Sequence, residues 1–121
     1  MSFSLILLAA GESRRLNSTL PKPFIKIGEK TILEHSLIKF SKINQIKKII
    51  VVINKKHKKY LKNIEFKNFV TVLGGDTRQK STFNALKYIK NNRIKNQKVL
   101  IHDSARPNFS EKLIRTIIKN S

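Results

Sequence analysis

A chain of 121 residues suffices for one domain or part of one, and folding at this size buries roughly two thirds of the unfolded surface. With 40% hydrophobic and 27% charged residues it suits a soluble globular protein, and the lack of any cysteine excludes a disulfide scaffold and thiolate metal sites while fitting a reducing compartment. Lysine and arginine number 26 against seven aspartates and glutamates, a formal charge of +19 that attracts polyanions: nucleic acid, anionic lipid or phosphorylated small molecules.

The first element is a buried strand over Phe3–Leu8. The apolar run to Ala10 has no basic residue before it and passes straight into Arg14 and Arg15, which makes it a poor signal peptide and too short to span a bilayer. Thr31-x-x-Glu34 is a capping-box pattern, and Ile32, Leu33, Leu37, Ile38 and Phe40 follow at helical spacing, so the pattern predicts a helix over about 31–41. "KIIVVI", Lys48 to Ile53, is a second buried strand, followed by a lysine-rich helix over about 55–62. "FVTVL", Phe69 to Leu73, is a third strand, "GGDTRQKS" its turn, and a helix covers about 79–91. "KVLIH", Lys98 to His102, is a fourth strand with "DSARPNF" as its exit loop, and Ser110 caps a last helix through about Asn120. Strands alternate with helices and are continuously apolar, which predicts an α/β, doubly wound, mostly parallel sheet covered on both faces. No repeat or linker divides residues 1–121, so they read as one domain, and an open sheet stopping after four units is expected to continue.

In such sheets ligands bind beyond the carboxyl ends of the strands. Three exit loops therefore carry the candidate chemistry. In the first, Ala9, Ala10 and Gly11 let the backbone approach an anion closely, while Arg14, Arg15 and Lys22 offer charged donors to a polyphosphate. Pro21 and Pro23 stiffen the chain around Lys22. The competing reading is a solvated basic turn. The stretch is neither a Walker loop, since no Gly-Lys-Ser/Thr follows Gly11, nor a dinucleotide fingerprint, which fails at Ser13 and Leu16. In the second loop, Gly74 and Gly75 expose backbone groups to the edge of a base, and Asp76 and Ser81 can hydrogen-bond sugar or base. The competing reading is a tight turn with Asp76 or Thr77 capping the next helix. In the third, Asp103 ends a buried strand, where a carboxylate needs a cation or hydroxyls to face. Arg106 can pair with it, as a loop-stapling ion pair, or bind a second anion. His35, His57 and His102 are scattered, His102 on the opposite face from Asp103, so no zinc site is expected.

At these loops "LLAAGESRRLNSTLPKPF", "GGDTRQKSTFNAL" and "VLIHDSARP" resemble, in order and approximate spacing, the motifs of the 2-C-methyl-D-erythritol 4-phosphate cytidylyltransferase family. The resemblance runs through essentially the whole chain but reaches only the first half, or slightly more, of a usual member. It implies a Rossmann-like nucleotidyltransferase fold, apparently truncated, with residues 1–121 as the nucleotide-binding part of a single domain. It implies transfer of CMP from CTP to 2-C-methyl-D-erythritol 4-phosphate, with release of pyrophosphate, in the non-mevalonate isoprenoid pathway. Ala9, Ala10 and Gly11 would then cradle the nucleotide, Arg15 and Lys22 would stabilise charge at the α-phosphate, and Gly74, Gly75, Asp76 and Ser81 would recognise cytosine and neighbouring atoms. Asp103 and Arg106 would face ribose, metal or acceptor. Mg²⁺ would be the cofactor, held mainly by the triphosphate, with Asp103 as a candidate ligand. A cytoplasmic homodimer in full-length form, without specific nucleic-acid or membrane partners, completes the expectation. Two departures stand out: Ser13 where the family usually has a second glycine, and Pro23 in place of glutamine after Lys22. The alternatives are another sugar-phosphate cytidylyltransferase, such as one acting on ribitol 5-phosphate, and a non-catalytic basic fragment that binds polyanions.

Overall fold

In the computed structural model, residues 2–11, 20–92 and 98–104 are described. Four strands form one sheet: β1 (Phe3–Ala9), β4 (Ile46–Ile53), β5 (Val70–Leu73) and β6 (Lys98–Asp103). Two short strands, β2 (Lys26–Ile27) and β3 (Lys30–Thr31), make a separate antiparallel hairpin. The four-stranded sheet has the order β5-β4-β1-β6 and every pair in it is parallel. The chain steps outward from β1 to β4 to β5, then returns to the other side of β1, so the strand order reverses beside β1. That reversal opens a crevice at the carboxyl ends of the strands.

Among the described residues two helices pack on opposite faces of the sheet, over β1 and β4 above all, while β5 and β6 stay only part-buried. Helix α1 (Ile32–Ser41) brings Leu33, Leu37 and Phe40 onto Phe3, Leu5, Leu7, Ile49, Val51 and Ile53. Helix α2 (Arg78–Asn91) brings Ala85, Tyr88 and Ile89 onto Ile6, Leu8, Ile50 and Val52. Odd-numbered residues of β1 and β4 thus face α1 and even-numbered ones face α2, which is the period-two alternation of a strand. Because both sides are covered, the sequence reads as an unbroken apolar run. Each large side chain buried this way contributes about 2 kcal/mol of transfer free energy.

The predicted elements are present with small shifts at their ends. The capping box at Thr31 is formed: Glu34 N donates to Thr31 Oγ1 at 3.1 Å, and Thr31 N donates to Glu34 Oε1 at 3.3 Å. The other Glu34 carboxylate oxygen accepts from Glu65 N at 3.4 Å. One buried carboxylate therefore both caps α1 and ties down the chain leaving the lysine-rich segment. That segment, Lys55–Asn63, is a 3₁₀ helix. Five lysines in nine residues repel one another, and no acidic residue lies in its first turn, so little favours a regular α-helix there. The hairpin turns at Gly28, whose φ of 72° lies in the left-handed region that glycine adopts without steric cost. The helix expected from Ser110 lies outside the described residues.

Candidate active site

The carboxyl ends of all four strands border one cleft of about 620 Å³. Ala9, Ala10 and Gly11 at the end of β1, Gly74, Gly75 and Asp76 after β5, Ser81 on α2, and Asp103 at the end of β6 all line it. Eight residues chosen from three separate stretches of sequence therefore meet in one place. Lys22 is half-buried and is not among the lining residues, although its neighbour Pro23 is. Arg15 and Arg106, and with them the expected Asp103–Arg106 pairing, lie outside the described residues.

The loop after β5 is held by its own hydrogen bonds. Gly74 N donates to Ile53 O at 2.8 Å, continuing the ladder past the end of β5. Gly75 N donates to Ser81 Oγ at 3.1 Å, and Asn84 Nδ2 donates to Leu73 O at 3.0 Å. Thr77, not Asp76, is the N-cap of α2: its hydroxyl accepts from Lys80 N at 3.1 Å. Asp76 is thereby left to the cleft. Its contact with Lys80, at 3.8 Å between a 66% exposed lysine and a 93% exposed aspartate, is too solvated to hold it. Both glycine amides are engaged within the protein, which leaves the Asp76 carboxylate and the Ser81 hydroxyl as the side-chain groups this loop brings to the cleft.

Both glycines here are also required sterically. A Cβ on Gly74 would collide with the Cβ of Ala10 and approach Ser81 Oγ to 2.9 Å. A Cβ on Gly75 would come within 2.5 Å of Lys80 Cβ. Gly11 differs: a Cβ there meets no atom of the described residues within 4 Å. The open space beside Gly11 is the space a ligand would need.

On the other side of β1, Ser104 fixes the end of β6. Its hydroxyl and its amide both donate to Leu8 O, at 2.9 and 3.1 Å, and Leu8 pairs in register with Asp103. Asp103 is half-buried at the cleft wall, while His102 turns the other way and packs edge-on against Phe40, with ring centroids 5.2 Å apart. Asp76 and Asp103 are two carboxylates on one cleft, and no cluster of three or more potential metal ligands exists among the described residues. Mg²⁺ takes few protein ligands and keeps substrate oxygens and waters, so a single carboxylate on the cleft wall such as Asp103 fits it.

Sequence reasoning passed over Asn54, Lys55, Lys56 and Arg78, which also line the cleft. Lys55 and Lys56 were concealed by the lysine-rich composition around them. Arg78 opens α2 within a stretch already singled out for its glycines.

A parallel layer whose glycine-lined cleft lies at the strand-order reversal belongs to a Rossmann-like nucleotidyltransferase fold. Among solved structures, a 4-diphosphocytidyl-2C-methyl-D-erythritol synthase from Anaerococcus prevotii superposes with a TM-score of 0.76 at 31% identity, over 98% of this chain and 50% of that one. The bifunctional IspDF of Campylobacter jejuni superposes with a TM-score of 0.81 at 32% identity, over 99% of this chain and 30% of that one. The model of the family 2-C-methyl-D-erythritol 4-phosphate cytidylyltransferase (IspD) matches residues 3–121, and the chain belongs to that family. It is 48% identical over 118 residues to the bifunctional enzyme IspD/IspF of Pelagibacter ubique, covering 98% of this chain and 31% of the relative. It is 41% identical over 113 residues to the 2-C-methyl-D-erythritol 4-phosphate cytidylyltransferase of Thermosipho melanesiensis, covering 90% and 49%. The chain thus spans about half the length of the single-function relatives it matches, and less of the bifunctional one.

Proposed function

We propose that this chain is the nucleotide-binding part of a single nucleotidyltransferase domain that transfers CMP from CTP to 2-C-methyl-D-erythritol 4-phosphate and releases pyrophosphate. The observation that carries this reading is the convergence of Ala9–Gly11, Gly74–Asp76, Ser81 and Asp103 on one cleft, in a chain matched by the family model from end to end of its core. In the reaction a phosphate oxygen of the acceptor attacks the α-phosphorus of CTP. The bond from that phosphorus to the bridging oxygen breaks, and pyrophosphate leaves with the electron pair. The nucleophile is already ionised at neutral pH, so no general base is needed. The task is to align two mutually repelling anions and to neutralise charge that builds in the transition state.

The chain's own groups divide that task. The Ala9–Gly11 turn admits the nucleotide close to the backbone. Asp76, the glycine carbonyls and the Ser81 hydroxyl present the mixed donors and acceptors that the edge of cytosine matches. Arg15 and Lys22 supply positive charge at the α-phosphate, and Arg106 serves the acceptor side. Mg²⁺, when bound, would neutralise the triphosphate, and Asp103 is the carboxylate that would hold it. The same reading places the full-length protein in the cytoplasm as a homodimer; among the described residues no helix is long and apolar enough to cross a membrane.

Isothermal titration with each of the four common nucleoside triphosphates in the presence of Mg²⁺ tests the assignment. CTP is expected to bind at least tenfold more tightly than UTP, which presents a carbonyl where cytosine presents an amino group; such a lost pair is worth about 1–3 kcal/mol. Equal binding of all four would sink the assignment.

A further inference from the structure

The segment leaving β4 contributes to the cleft in a way its composition hides. Lys55 and Lys56 line the cleft, whereas Lys58, Lys59 and Lys62 of the same segment do not. The strand order sets where they stand. β4 lies between β5 and β1, so its exit lies between the Gly74–Asp76 loop and the Ala9–Gly11 turn. A nucleotide whose base sits at the first and whose phosphates sit at the second must cross the end of β4.

The position of these two lysines is fixed from both sides. Asn54 caps the segment: its Oδ1 accepts from Lys56 N at 2.9 Å, while its Nδ2 reaches Ala10 O at 3.5 Å. The next residue, His57, is buried and packs against Phe24 and Tyr60, with ring centroids at 6.4 and 6.0 Å; Phe24 and Tyr60 are 5.1 Å apart, so the three rings form one wedge-shaped cluster. Phe24 belongs to the 3₁₀ turn Lys22–Phe24. The aromatic wedge therefore ties the lysine segment to the turn that carries Lys22, on the same rim as Pro23. A mere solvated lysine run would need neither the cap onto the nucleotide turn nor the wedge beneath it.

We propose that Lys55 and Lys56 are nucleotide-binding cations, forming a second charged wall of the cleft that favours a triphosphate over less phosphorylated nucleotides. The inference rests on the nucleotide-binding reading above. Exposed charge pairs are individually weak and screened by salt, so the effect is modest per lysine and ionic-strength dependent.

The test compares three proteins by titration with CTP and with CMP, each with Mg²⁺, at low and at physiological salt: the wild-type chain, Lys55→Gln/Lys56→Gln, and Lys58→Gln/Lys62→Gln. The last removes the same net charge from lysines that do not line the cleft. The cleft-lining pair is expected to lose about tenfold in CTP affinity at low salt, several-fold less at physiological salt, and only about twofold for CMP. The control pair should change CTP affinity less than twofold, and Lys55→Arg/Lys56→Arg should restore most of the loss. All four lysines are exposed, and thermal melts confirm that each variant is folded. If the two glutamine pairs behave alike, or if CTP and CMP weaken equally, the inference is wrong although the cytidylyltransferase reading stands. If the wild-type chain binds no CTP, the underlying reading fails and the inference with it.

Discussion

Two segments border the same cleft, one after β5 and one after β4, and they are built on opposite principles. The Gly74–Ser81 loop is made by backbone: two glycines packed too tightly for any side chain, one amide closing onto the sheet and the other onto Ser81. The Asn54–Asn63 segment is made by side chains: an asparagine cap, a buried histidine clustered with two other rings, and exposed lysines. On the proposed reading the first would fix shape and hydrogen-bonding pattern, which discriminate between bases. The second would fix charge, which discriminates by phosphate number and sets the response to salt.

The sharpest way to break the first segment is Gly74→Ala. The new methyl group has no flexible neighbour to displace, because Ala10 Cβ is fixed to the β1 turn and the Ser81 hydroxyl is held on α2 by its bond from Gly75 N. Overpacking of this kind costs about 2–3 kcal/mol, read as a lower urea midpoint with an unchanged slope. CTP affinity should fall with it, since relief comes only by pushing the β5 loop away from the β1 turn. A Gly74→Ala protein with wild-type stability would show that the two loops are not in contact.

The second segment should respond less. Asn54→Ala removes the cap from Lys56 N, a loss of about 1 kcal/mol, while the His57 wedge keeps the segment docked. Asn54→Asp keeps the accepting oxygen and loses only the donor toward Ala10, so its stability should lie between the two. Thermal melts that reversed the ranking of Gly74→Ala and Asn54→Ala would overturn the contrast between a backbone-built and a side-chain-built wall.

The same contrast explains what could be read from sequence. β1 and β4 were legible because double coverage makes them unbroken apolar runs, β5 and β6, though only part-buried, because each is a short run rich in Val, Leu and Ile, and α1 because its capping box is local, three residues apart. The cleft was legible because glycines and aspartates are rare in this chain, with four and two of them, and cluster where strands end. Lys55 and Lys56 were not legible. What distinguishes them from Lys58 and Lys62 is a wedge between Phe24 and His57, far apart in sequence, and no local pattern encodes it. The hairpin at Lys26–Thr31 escaped for a different reason: two-residue strands carry too little alternation to register, and Gly28 was its one local mark. Nothing local marks Ser104, yet its two bonds to Leu8 O join points 96 residues apart.

The smallest expected change in stability is also the most informative about ligand. Gly11→Ala adds a methyl group where nothing among the described residues lies within 4 Å, at a backbone conformation open to alanine. Urea melts should therefore move by less than about 0.5 kcal/mol, the range of a neutral surface substitution. If Gly11 is glycine only because a nucleotide must approach its backbone, CTP affinity should nevertheless fall by about tenfold or more, equivalent to one lost close contact. Gly74 and Gly11 would then be glycines for different reasons, one demanded by the protein and one by its ligand. Gly11→Ala with both stability and CTP affinity intact would show that the β1 turn is not where the phosphates lie, and would move the nucleotide toward the β4 and β5 exits instead.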